Sequence, residues 1–292
     1  AVEGVGLPAL AVHLLGGLAR DAGAALSPHT LVNQIVFTGS VPTGIAIATA
    51  AARNVVPCVL ELGGKSAAIV HDDADLDAFE TDVRWGIYFN AGQVCSAMSR
   101  VIAHESIHDE LVERMVGVAQ SLTVKPGIDQ PDFGPTMGAM VSEVQRDRAA
   151  EIVTAAQGEG AQVATGGRKL NIPGAFLEPT IVTGVTPDMT IANEEVFGPV
   201  LSVLKFSSDT DAIKIANGTP YGLVGGVFTR NLDRATTAAR KLRAGQVFVN
   251  EWYAGGVETP FGGYGKSGYG REKGREALWN YVQTKNVAIK LG

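Results

Sequence analysis

Asn33-Gln34-Ile35-Val36-Phe37-Thr38-Gly39-Ser40-Val41-Pro42-Thr43-Gly44 leads directly into Ile45-Ala46-Ile47-Ala48-Thr49-Ala50-Ala51-Ala52-Arg53. The apolar run ending at Thr38 reads as a buried strand. Gly39 to Gly44 reads as a turn. Ile45 to Arg53 reads as a helix, because alanine loses no side-chain entropy on entering one. The same rhythm recurs along the chain. Val59 to Leu62 is a second strand that breaks at Gly63-Gly64, and Ser66 to Val70 is a third. The aspartates of Asp72-Asp73-Ala74-Asp75 suit the start of a helix running to about Phe89, where they cap it and oppose its dipole. Ser106 and Ser142 open helices to about Leu122 and Gln157. Val200 to Phe206, Leu223 to Thr229 and Gln246 to Asn250 are strands. Asp209 to Asn217 and Leu232 to Lys241 are the helices between them. Short apolar strands alternating with helices predict an α/β protein with a mostly parallel sheet.

Composition narrows the function. The 292 residues favour two domains. A 46% hydrophobic and 18% charged chain is ordinary for a packed protein. The net charge of −6 argues against a nucleic-acid or anionic-membrane surface. No apolar run is long enough to span a bilayer, and the opening residues Ala1-Val2-Glu3-Gly4 carry no basic signal region. The five histidines lack metal-ligand spacing, so no metal is expected. Two cysteines in so long a chain make no disulfide framework, and a reducing cytoplasm suits them.

Two motifs carry chemistry. Glu61-Leu62-Gly63-Gly64-Lys65-Ser66 sets a carboxylate beside two glycines. Gly92-Gln93-Val94-Cys95 sets a thiol in a glycine-bearing loop. A thiol titrates mostly above neutral pH and needs local help to act as a nucleophile. A nearby carboxylate can act as base, for the thiol or for a water. Alone, each signal is weak. Glu61 could be an outward-facing strand residue, Cys95 an inert core thiol, and Gly39 to Gly44 an ordinary βα turn. That turn is neither a Walker A nor a GxGxxG sequence, although N–H groups at the following helix could meet a pyrophosphate. Cys58 sits in an apolar strand without a motif.

Together with Phe37-Thr38-Gly39-Ser40 upstream and Glu194-Glu195-Val196-Phe197-Gly198-Pro199 downstream, these motifs occur in an order that resembles the aldehyde dehydrogenase superfamily from about residue 4 to the end. The resemblance implies a fold with a partial Rossmann-type cofactor domain (1–63), an α/β catalytic domain (64–264) and a C-terminal tail with an oligomerisation strand (265–292). The Gly-rich stretch Gly262 to Gly270 would cross between domains. The resemblance further implies Cys95 as nucleophile, with its own N–H donating to the oxyanion, and Glu61 as general base. Thr38, Gly39, Ser40 and Gly44 would hold the cofactor pyrophosphate side, Leu62 and Gly63 would lie along the nicotinamide, and Glu195 and Phe197 would meet its ribose and ring. Trp252 and Phe261 would line the substrate pocket, with Tyr253 nearby, and suggest an apolar or aromatic aldehyde. NAD is the implied cofactor, with NADP as the alternative.

In the superfamily, an oxyanion-hole asparagine and an adenine-ribose lysine lie upstream of what matches Ala1 to Gly6, so an N-terminally truncated form is implied. The tail, with Val287 and Ile289 at strand spacing, implies a homodimer. A cysteine-dependent esterase on the same site, or a non-catalytic fold remnant, are the competing readings.

Overall fold

The computed structural model describes residues 11–129 and 135–292; the Ala1–Gly6 segment lies outside them. Strand β1 (Ile35–Thr38) is followed by helix α1 (Val41–Ala52) and strand β2 (Cys58–Glu61). The two strands pair in parallel, with Thr38 opposite Glu61. The helix starts at Val41 and not at Ile45, so the turn is only Gly39-Ser40. Two local features explain the early start. The Ser40 hydroxyl caps the Thr43 N–H, and Pro42 presets the backbone of the first turn.

Seven further strands form the main sheet. They are β3 (Ala67–Val70), β4 (Arg100–His104), β5 (Gln162–Thr165), β6 (Thr180–Thr183), β7 (Val200–Phe206), β8 (Val224–Phe228) and β9 (Gln246–Val249). Their spatial order is β9-β8-β3-β4-β7-β6-β5. Every pairing is parallel except that of edge strand β5 with β6. All residues of β3 and β8 are buried. Successive side chains point to opposite faces, so both faces of the sheet centre are covered, as a parallel sheet requires.

The covering helices are α2 (Leu76–Tyr88), α3 (His108–Gln120), α4 (Glu143–Gly158), α5 (Asp209–Ala216) and α6 (Leu232–Lys241). Asp75, Ser142, Ser208 and Asn231 cap α2, α4, α5 and α6 through their side chains. Ser106 does not cap α3. Its hydroxyl is taken by the Nδ1 of His104 at 2.8 Å, and Ile107 stands at the cap. Strands β4, β5 and β6 are not foreseen by the sequence. Strand β4 opens on a charged arginine, β5 is a short edge strand of mixed polarity, and β6 is short and flanked by Pro179 and Gly184, so none has a clear period.

The Gly262–Gly270 stretch contributes to two sheets apart from the seven-stranded one. Tyr264-Gly265 pairs with Tyr221-Gly222, and strand β10 (Gly268–Tyr269) pairs antiparallel with β2. Residues 282–292 belong to no sheet, and Val287 and Ile289 are exposed. The expected tail strand is therefore not formed within one chain. Among the described residues, no helix is long and apolar enough to cross a membrane.

Candidate active site

Glu61 ends β2 pointing inward. It is 2% exposed, and neither carboxylate oxygen has a hydrogen-bond partner. With 2% exposure Glu61 is not the outward-facing residue that alternation allowed, and Gly268 of strand β10 pairs beside it in the sheet. Gly262 lies so close that a Cβ there would come within 2.9 Å of the Glu61 Oε1. Burial pushes the Glu61 carboxyl up to about 8; the charge of Glu272 adds to this and Arg271 opposes it. A carboxyl poised near neutral pH can both accept and release a proton.

The turn after Glu61 is pinned by Ser267, a fully buried residue that sequence reasoning missed. Its hydroxyl donates to the Gly63 carbonyl at 2.7 Å and accepts from the Gly222 N–H at 3.1 Å. Its own carbonyl accepts the Leu62 N–H. The only sequence signal was a serine among glycines, which reads as loop. The Leu62 side chain turns toward α1 and fills the space beside Gly44.

Gly63 and Gly64 admit two distant motifs to this turn. The Glu195 carboxylate occupies the volume a Gly63 side chain would need, and its Oε1 accepts the Gly64 N–H at 3.1 Å. The carbonyl oxygen of Cys95 lies 2.7 Å from where a Gly64 Cβ would stand. Glu61, the Cys95 loop and Glu195 thus converge on one turn.

The loop bearing Cys95 is strained and tightly held. Asn90, Ala91 and Gly92 all have positive φ, at 51°, 52° and 71°. For the two non-glycine residues this costs on the order of 1–3 kcal/mol each, offset by surrounding contacts. The Asn90 and Gln93 side chains each donate to the other's carbonyl at 3.0 Å. Gln93 Oε1 also accepts the Val141 N–H at 2.8 Å. This explains the glutamine of the motif: it braces the loop. Gly92 abuts the Gly198 carbonyl so closely that any Cβ would collide with backbone. Gly92→Ala should therefore displace Cys95 and lower turnover about 100-fold, since a displacement of roughly 1 Å suffices for that. Steady-state kinetics beside a melting curve would test this, and wild-type turnover would refute it.

Cys95 is half-buried. Burial pushes its thiol up, and the charges of Glu195 and Glu61 push the same way. The N–H groups of Ser96 and Cys95 oppose them. At neutral pH the thiol is therefore held protonated, and a base would have to take its proton for it to act as a nucleophile. Trp252 is 5% exposed and sits against the loop, its indole N–H donating to the Ser96 carbonyl at 3.2 Å. Its backbone N–H is held by Asp82 at 2.8 Å. Tyr253 is half-buried, and its phenol is near enough for the Cys95 charge to raise its pKa further. Phe261 packs partly on the core and is bridged through its backbone to Glu272.

Thr38, Gly39 and Ser40 are exposed where α1 begins, and Gly44 is buried against Leu62. Phe197 is partly exposed with φ 51°, its carbonyl held by the Gln145 amide. Among the described residues, no cluster of metal-ligating side chains occurs.

The sequence matches the aldehyde dehydrogenase family over residues 1–287. The chain belongs to that family. An aldehyde dehydrogenase of Davidiella tassiana is 45% identical across the whole chain, which covers 58% of that protein. A rat aldehyde dehydrogenase, described as cytosolic 1, is 40% identical over 99% of the chain and 58% of its own length. Among solved structures, betaine aldehyde dehydrogenase of Staphylococcus aureus in complex with NAD+ superposes with a TM-score of 0.91 at 37% identity, over 96% of this chain and 55% of that one. The chain spans little more than half the length of these relatives.

Proposed function

We propose that this chain carries the catalytic centre for oxidation of an aldehyde to the carboxylic acid, with NAD as the acceptor and NADP as the alternative. The observation that carries the reading is the convergence of Cys95 and Glu195 on the Gly63–Gly64 turn, directly after buried Glu61. The residues fit a dinucleotide: Gly39 and Ser40 leave the start of α1 open, where N–H groups favour a phosphate. Thr38, Gly39, Ser40 and Gly44 would hold the pyrophosphate side, and Glu195 and Phe197 the nicotinamide ribose and ring beside Leu62 and Gly63. NAD, when bound, supplies a two-electron acceptor.

The protein's own part is nucleophilic. The Cys95 Sγ gives its proton to water and bonds to the aldehyde carbonyl carbon, and as the C=O π bond breaks the oxygen takes the negative charge. The N–H groups at Cys95 and Ser96, already near the thiol, offset that charge. With the acceptor bound, the former aldehyde C–H bond would break, its hydrogen leaving with both electrons as hydride, and the oxyanion would re-form the carbonyl of an acyl thioester on Cys95. A water then attacks it, and Glu61 takes the water's proton. The acid leaves and the thiol is restored. Tyr253, Phe261 and Trp252 support an apolar or aromatic aldehyde, and two reduced thiols support a cytosolic setting.

Incubation with an aromatic aldehyde and each cofactor, followed at the absorbance of the reduced nicotinamide, tests the reading. Turnover of an ester at Cys95 with no cofactor reduction would favour a thiol esterase instead. A pH dependence follows as well. Glu61 accepts a proton only when ionised, and its carboxyl is pushed up to about 8. Thioester hydrolysis should therefore rise about tenfold per pH unit between about pH 6 and 7.5 and level off above about 8. A single-turnover profile that is flat across this range would remove Glu61 from the step.

A further inference from the structure

Lys65 follows the glycine turn and is buried to 2% exposure, yet its ammonium has no hydrogen-bond partner. A buried, unpaired ammonium is costly, and an apolar side chain would fill the space without that penalty. Its neighbour Arg100 is equally buried but fully employed. Its guanidinium donates to the Lys65, Ile215 and Ala216 carbonyls at 3.0, 3.1 and 2.8 Å, the last two ending helix α5. Lys65 has no such structural task. Its electrostatic partners are the carboxylates of Glu195 and Glu194, set against the charge of Arg100. Glu195 in turn sits on the adjoining Gly64 N–H.

We infer that Lys65 is a positioning residue of the cofactor site: its ammonium is the counter-charge that holds the Glu195 carboxylate ionised on the Gly63–Gly64 turn. The inference rests on the reading of Glu195 as a ribose ligand. Burial pushes Glu195 up, while the Gly64 N–H, Lys65 and Arg148 pull it back. Arg148 is exposed, so solvent screens it, whereas Lys65 acts through protein interior. Cys95 and Tyr221 are the other titrating groups that feel Glu195. Lys65 itself is pushed down to about 7, first by burial and then by Arg100. It is therefore charged below neutral pH and mostly neutral above about 8. A protonated Glu195 is a poor acceptor for ribose hydroxyls, so the effect of Lys65 belongs to the acid side.

The test is the cofactor KM of Lys65→Met, Lys65→Arg and Glu195→Gln, each at about pH 6 and 8.5. Lys65→Met should raise the KM about tenfold at pH 6, the equivalent of one pKa unit on Glu195, and leave it near wild type at pH 8.5. Lys65→Arg should keep the low-pH affinity. In a Glu195→Gln background, Lys65→Met should add nothing. An unchanged KM for Lys65→Met at pH 6, or a full additional loss in the double variant, overturns the inference. An unchanged KM for Glu195→Gln alone overturns the ribose reading instead. If Lys65→Met does not fold, Lys65→Gln removes the charge in its place and is read against the same outcomes.

Discussion

Cys95→Ala is expected to lower aldehyde oxidation by about 10⁴-fold or more, because no other group can form the covalent intermediate. Cys58→Ala is expected to retain most of the activity. Both thiols are half-buried and both are pushed up by burial, so acidity does not separate them. Position does. Cys58 opens strand β2 with its thiol near the Val56 carbonyl at 3.9 Å. Cys95 lies where the Gly64 turn, Glu195 and Glu61 converge. Iodoacetamide labelling with mass-spectrometric mapping decides between them. Preferential alkylation of Cys58, with activity lost in step, would refute the assignment.

Glu61→Gln is expected to slow thioester hydrolysis by about 10²–10³-fold while slowing the preceding oxidation far less, since an amide cannot take the water's proton. Single turnovers should then show a burst of reduced cofactor followed by a slow steady state. Equal slowing of both phases would give Glu61 another task. The same variant has a stability signature. The fold holds the Glu61 carboxyl neutral up to about 8, whereas in the unfolded chain it ionises near its ordinary 4.5. The folded state thus binds the extra proton, and its stability falls as pH rises across that window. Glutamine has nothing to ionise. The variant should therefore gain in melting temperature relative to wild type at pH 8 compared with pH 5. A constant difference at the two pH values would contradict the buried, neutral acid.

Much of this protein is legible in its residues. Apolar runs broken by glycine and aspartate give β1 to β3 and β7 to β9, and the caps Asp75 and Ser142 set two helix starts. These are local effects: side-chain entropy, capping bonds and the period of two or 3.6 residues act within a few positions. The motifs around Glu61, Cys95 and Glu195 are weak one by one, and they name candidate chemistry only through their joint resemblance to the aldehyde dehydrogenase family. The early start of α1 shows the limit even of local reading, because a cap and a proline outweigh the alanine-rich pattern behind them.

Only the tertiary structure decides which way Glu61 faces. Alternation along β2 allows either side, and what packs on the carboxylate comes from the far end of the chain, with Gly262 against its Oε1 and the charges of Glu272 and Arg271 reaching it. The same holds for the hydrogen bond from the Gly64 N–H to Glu195, which joins residues 131 positions apart, and for Ser267, which reaches Gly63 across 204. No periodicity records such contacts. They exist because glycines leave room for backbone and carboxylate to meet, and because buried polar groups must find partners wherever the packing places them. Lys65 belongs here too: its sequence position marks it only as the end of a motif, and its charge acquires meaning from being buried beside Glu195.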